Sequence, residues 1–78
     1  MTRRKTVARK TRVTNSIRAL RFACDEMTQA ELADRLGVTR QTIIAIEQGR
    51  YSPSLEMAFR MAQVFDVPLE EVFQYPDE

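Results

Sequence analysis

The chain has no histidine, and Cys24 is its only cysteine. Imidazole acid–base chemistry, histidine-based triads and the usual zinc ligand sets are therefore excluded, and no internal disulfide can form. Only two glycines occur, Gly37 and Gly49, so a glycine-rich loop that cradles phosphate is missing too. No paired carboxylates mark a cleft, and neither enzymatic activity nor a metal or other cofactor is expected. No apolar run approaches the roughly 18–20 residues that span a bilayer. The basic N-terminus lacks the apolar segment of a secretory signal. A cytoplasmic protein with no membrane partner is the natural expectation.

What is present is ordinary in amount and uneven in placement. Seventy-eight residues, 44% hydrophobic and 29% charged, suit one small globular domain. The net charge of +1 conceals an asymmetry. Arg3, Arg4, Lys5, Arg9, Lys10 and Arg12 precede position 13, whereas all eleven acidic residues follow it. Residues 13–78 thus hold six basic and eleven acidic side chains, a net of −5. Residues 1–13 show no apolar periodicity and are expected to form a flexible basic arm. Residues 14–78 form the domain.

Within that domain the apolar spacing is helical and strand patterns are absent, so the expected class is all-α with five short helices. Asn15 or Ser16 can cap a first helix carrying Ile17, Leu20, Arg21 and Cys24, which Asp25-Glu26 ends. Thr28 and Glu31 stand three apart as a capping box for the second helix, whose buried stripe is Leu32, Ala33 and Leu36. Gly37 suits a left-handed closing residue, and Val38 plugs the corner beyond it. Thr39 caps a third helix in which Ile43 and Ile46 face the core. Gly49 stops that helix. Ser54 caps a fourth, with Leu55, Ala58, Phe59, Ala62, Val64 and Phe65 as apolar positions and Glu56 complementing the helix dipole. Pro68 opens a short last helix from Leu69 to about Phe73.

Two short helices joined by a tight turn, the second starting on a polar, hydrogen-bonding face, suit the major groove of DNA. From Ile17 to Phe73 the chain resembles the Cro/repressor-type helix-turn-helix domain, the xenobiotic-response-element class of bacterial and phage regulators. The resemblance rests on Gln29-x-x-Leu32-Ala33, the run Gly37 to Ile43, Ile46-Glu47-x-Gly49 and Pro53-Ser54-Leu55. It implies a lambda-repressor-like fold with a central helix-turn-helix and a recognition helix over about 40–48. It also implies a sequence-specific regulator of transcription that binds double-stranded DNA, repression being the family's commoner habit.

Residue by residue, the resemblance assigns base reading to Arg40, Gln41 and Ala45. Arginine can pair with guanine O6 and N7, glutamine with adenine N6 and N7, and alanine can meet a thymine methyl. Gln29 matches a phosphate-binding position, and Thr39, Thr42, Gln48 and Arg50 are further phosphate candidates. Glu47 matches a position that pairs with a first-helix arginine, here Arg21 or Arg18. Two departures stand out. Ile44 replaces a usually polar residue, suggesting an apolar base contact or a partner contact, and the turn at Cys24-Asp25-Glu26 is one residue longer than the common form.

Arg3, Arg4 and Lys5 of the arm are expected on DNA phosphates. One module reads few base pairs, so a homodimer on an inverted repeat is expected, its recognition helices about 34 Å apart. Phe65, Val67, Leu69, Val72, Phe73 and Tyr75 supply the candidate dimer surface, since a short tail buries little of such area by itself. Cys24, Met27, Met57 and Met61 are expected as core filler. Phe22, Phe59, Phe65 and Phe73 are assigned to core or interface, because no aromatic platform for single strands is evident. No ligand-sensing domain is expected, which leaves control to the protein's own concentration or to a protein partner. The competing class is a protein-interaction module, an antitoxin or adaptor, favoured by the acidic body and Ile44.

Overall fold

The structure, a computed structural model, describes residues 11–76. The order is β1 (Thr14–Asn15), α1 (Ile17–Ala23), α2 (Gln29–Leu36), α3 (Arg40–Glu47), α4 (Leu55–Phe65), α5 (Leu69–Val72) and β2 (Phe73–Gln74). The five expected helices are all present, and short-range hydrogen bonds set their ends. Asn15 Oδ1 accepts from the Ile17 N–H at 3.1 Å at the start of α1. Thr28 Oγ1 accepts from the Glu31 N–H at 3.0 Å while Glu31 Oε1 accepts from the Thr28 N–H at 2.8 Å. This reciprocal box satisfies two donors at a helix start. Thr39 Oγ1 caps α3 through the Thr42 N–H, and Ser54 Oγ caps α4 through the Met57 N–H. Gly37 closes α2 at φ 74°, a conformation that costs an L-residue with a Cβ roughly 1–2 kcal/mol.

The longer first turn is accommodated by two consecutive left-handed residues, Asp25 at φ 61° and Glu26 at φ 58°. They let the Met27 N–H reach back to the Arg21 carbonyl at 2.8 Å. That wrap returns the chain toward α1 and starts α2 beside it.

The core is one cluster in which Ile17, Leu32, Leu36, Ile43, Met61 and Val72 are fully buried. Each helix contributes its apolar stripe, Leu32, Ala33 and Leu36 from α2 and Ile43 and Ile46 from α3. From α4 come Ala58, Met61, Ala62 and Phe65. Truncating a side chain such as Ile43 to alanine in a core like this costs roughly 2–5 kcal/mol. Met27 is buried, and Cys24 and Met57 pack partly buried against the cluster. Among the described residues no helix is long and apolar enough to cross a membrane.

The five helices bear out the all-α class, and Thr14 and Asn15 add to it a short antiparallel pairing with Gln74 and Phe73. A two-residue ladder has no periodicity to betray it. Phe65 and Val72, assigned to a dimer surface, are core residues at 5% and 0% exposure, so neither is available to a second copy. Leu55 and Phe59, counted among the apolar positions of α4, are 67% and 49% exposed. Phe59 borders Ala62 along the groove between α4 and α5. Phe22 is likewise exposed, which leaves the interface side of its core-or-interface assignment.

Candidate nucleic-acid interface

α3 has two faces because it turns about 100° per residue. With Ile43 and Ile46 directed into the core, Gln41, Ile44, Ala45 and Gln48 fall on the opposite side and Arg40 at its edge. Arg40, Gln41 and Gln48 are exposed, and Ile44 and Ala45 half-buried. The helix itself ends at Glu47, with Gln48 as its cap, one residue short of the expected span. The outward face thus begins with a cation and an amide in the first turn, followed by a small apolar surface. Thr39 and Thr42 flank its start, their hydroxyls 3.1 Å apart. Arg50 is exposed just beyond Gly49, and its N–H donates to the Ala45 carbonyl at 3.0 Å.

α3 is locked to α1 and α2 by one nearly buried carboxylate. Arg21 Nε donates to Glu47 Oε2 at 2.7 Å and Arg21 Nη2 to Glu47 Oε1 at 3.2 Å. This is the two-pronged geometry that suits guanidinium and carboxylate. Arg21, not Arg18, is therefore the partner, and the longer turn does not prevent the pairing. Arg21 Nη1 also donates to the Met27 carbonyl at 2.9 Å. The side chains are 13% and 10% exposed.

Gln29 completes this network, its Nε2 donating to Glu47 Oε1 at 3.2 Å. One of the two hydrogens on Nε2 is thereby engaged by the carboxylate. Gln29, Arg40 and Gln48 line one open cleft of about 750 Å³ together with Arg18 of α1. The sequence offers Arg18 only as a partner for Glu47. Its position three residues before Arg21, on a neighbouring part of the same helix face, is the signal that places it here. Glu26 is on the same wall.

The arm residues Arg3, Arg4 and Lys5 lie outside the described residues. At the arm's root the Arg12 guanidinium stands 5.7 Å from the centre of the Tyr75 ring, within cation–π range. Of the remaining dimer-surface candidates, Tyr75 is exposed and Val67, Leu69 and Phe73 half-buried. Among the described residues no group of His, Cys, Asp or Glu side chains is placed to hold a metal ion.

A helix pair packed at a tight glycine turn, with the second helix bare on its polar side, defines a helix-turn-helix protein. The helix-turn-helix family model matches residues 26–72. This chain belongs to that family, the Cro/C1-type DNA-binding regulators of transcription. An HTH-type transcriptional regulator of Methanocaldococcus jannaschii is 54% identical over 56 residues, 72% of this chain and 85% of the relative. The cryptic phage CTXphi transcriptional repressor RstR of Vibrio cholerae is 38% identical over 58 residues, 74% of this chain and 51% of that protein. A crystal structure from Bacteroides fragilis shares the fold, with a TM-score of 0.69 at 24% identity, over 80% of this chain and 98% of that one.

Proposed function

We propose that this regulator is a repressor that reads an inverted-repeat operator as a homodimer, with α3 in the major groove. The observation that carries the reading is the bare face of α3, where Arg40 and Gln41 stand exposed opposite the buried Ile43 and Ile46. Arg40 and Gln41 supply the hydrogen-bonding groups for base edges, and Ile44 and Ala45 the apolar contacts for thymine methyls. Gln29, Thr39, Thr42, Gln48 and Arg50 surround that face and hold backbone phosphates, with Arg18 added from the cleft. The basic arm, through Arg3, Arg4 and Lys5, supplies the long-range attraction that an acidic body lacks. The protein acts in the cytoplasm on nucleoid DNA.

A second copy is the occupant we assign to the shallow groove of Phe59, Ala62, Val67, Pro68 and Leu69 between α4 and α5. An inverted repeat demands two-fold symmetry, so one patch must meet itself. Val67, Leu69, Phe73 and Tyr75 remain from the expected surface, and Leu55 and Phe59 add exposed apolar area.

Fluorescence anisotropy with duplex from upstream of the protein's own gene, against scrambled duplex at two salt concentrations, tests the reading. A preference of about a thousandfold or more is expected, lost in Arg40→Ala/Gln41→Ala, with a dimer in sedimentation velocity. Weak binding to both duplexes that disappears with salt would leave DNA contact to the arm alone and point to a protein partner.

A further inference from the structure

We infer that Asn15 is the positioning residue that fixes the C-terminal end of the recognition helix against the start of α1. Its side-chain amide is used at both ends. Asn15 Oδ1 accepts from the Ile17 N–H at 3.1 Å, and Asn15 Nδ2 donates to the Ile46 carbonyl at 3.1 Å and the Glu47 carbonyl at 3.3 Å. A helix start offers bare N–H groups and a helix end bare C=O groups. A side chain serving both must carry an acceptor and a donor in one rigid plane. Asparagine does so at this short reach, whereas aspartate lacks the donor and serine the length.

The backbone holds that plane still. Asn15 is paired with Phe73 in the small ladder, and the next residue, Ser16, donates its N–H to the Val72 carbonyl at 2.9 Å. Three separate parts of the chain therefore meet at one residue: the C-terminal segment, the start of α1 and the end of α3. The Arg21–Glu47 pair grips α3 by a side chain, whereas Asn15 grips its backbone. Together they set both the depth and the tilt of the helix, and small errors of either displace base-reading atoms from hydrogen-bond distance. The consequence for sequence discrimination rests on the proposed DNA reading; the mechanical role does not.

Asn15→Ser and Asn15→Asp separate the two ends, since each keeps an acceptor for the Ile17 N–H and loses the donor to α3. Amide hydrogen exchange by NMR is the primary readout. Protection at Gln48, Gly49 and Arg50 is expected to fall roughly three- to tenfold, the worth of a typical hydrogen bond, while amides early in α1 keep theirs in Asn15→Ser. Asn15→Asp is expected to lose more, because its carboxylate faces the negative end of α3. The anisotropy ratio of operator to scrambled duplex is expected to fall in step, with the salt dependence unchanged. Equal loss of protection at both helix ends, or none at residues 48–50, would overturn the inference. Should the variants unfold, the wild-type Asn15 side-chain NH₂ decides the matter. Slow exchange of those protons supports the clamp, and exchange at the rate of an exposed amide refutes it. A protein without operator preference whose α3 amides still respond would refute the DNA reading alone.

Discussion

Replacing Glu47 by alanine should be among the most damaging single changes to this domain, although the residue sits in the last turn of a helix beside the surface. The substitution leaves the Arg21 guanidinium at 13% exposure without its carboxylate and removes the acceptor for Gln29 Nε2. Removing one member of a buried pair costs roughly 3–5 kcal/mol, chiefly because a charge stays behind uncompensated. Two features reduce the figure here. The guanidinium keeps its bond to the Met27 carbonyl, and both side chains retain some solvent. We expect about 2–4 kcal/mol, which for a domain of this size lowers Tm by roughly 8–30 °C. Removing both charges should cost far less, so Arg21→Met/Glu47→Leu is expected within about 1 kcal/mol of wild type. Urea denaturation followed by circular dichroism, run as a double-mutant cycle at 0.05 and 0.5 M salt (settings chosen at roughly 14 and 4 Å screening length), measures the coupling. A buried pair should change little between the two. A single-variant loss below about 0.5 kcal/mol, or a coupling abolished by salt, would mean an ordinary surface pair and refute the argument.

Gly37→Ala should cost about 1 kcal/mol in the same denaturation assay, from left-handed strain partly offset by reduced unfolded-state entropy. Nothing lies within 4 Å of the added Cβ, so a larger loss would contradict the open geometry. Asp66 closes α4 in the left-handed region at φ 59°, and Asp66→Gly should raise stability by about 0.5–1 kcal/mol. An unchanged or lower midpoint would show that the aspartate is stabilised by contacts beyond its backbone. Arg18→Ala should reduce the log–log salt slope of DNA binding by about 0.9, the signature of one lost phosphate contact. It should do so equally on operator and scrambled duplex, and a loss confined to the operator would make Arg18 a base reader.

The features that were legible in the sequence are those whose cause lies within four residues. The caps at Thr28, Thr39 and Ser54 each bond a backbone N–H three positions on, so residue type and spacing suffice to locate them. Gly37 at the turn is of the same kind. The longer loop at Asp25-Glu26 was visible as an extra residue, but its resolution through two left-handed residues was not. Aspartate is a residue type that tolerates positive φ, but Glu26 gives no sign of it. The ladder joining Thr14 and Asn15 to Gln74 and Phe73 depends on where five helices carry the two ends of the chain, which no local pattern records. The tail fails for a related reason. Phe65, Val67, Leu69, Val72, Phe73 and Tyr75 form one largely apolar run in sequence, in which Phe65 belongs to the buried stripe of α4 and Val72 turns inward through the packing of α5 on the core.

Glu47 shows what kind of sequence signal does reach across the fold. A carboxylate in the last turn of a helix opposes the dipole by roughly 0.3–1 kcal/mol, and α3 has no basic residue in that turn to relieve it. A locally unfavourable choice of this sort calls for a cation from elsewhere, and Arg21 is the one the fold delivers. Asn15 is the converse case. Its bond from the Ile17 N–H, two residues on, is locally sufficient to explain it, so nothing in the sequence asks for the second set of bonds to Ile46 and Glu47. The acid at the end of α3 thus advertises its long-range partner, whereas the amide that holds the same helix end conceals one. Both act on the terminus opposite Arg40 and Gln41, which leaves the first turn of α3 free of tertiary bonds from either.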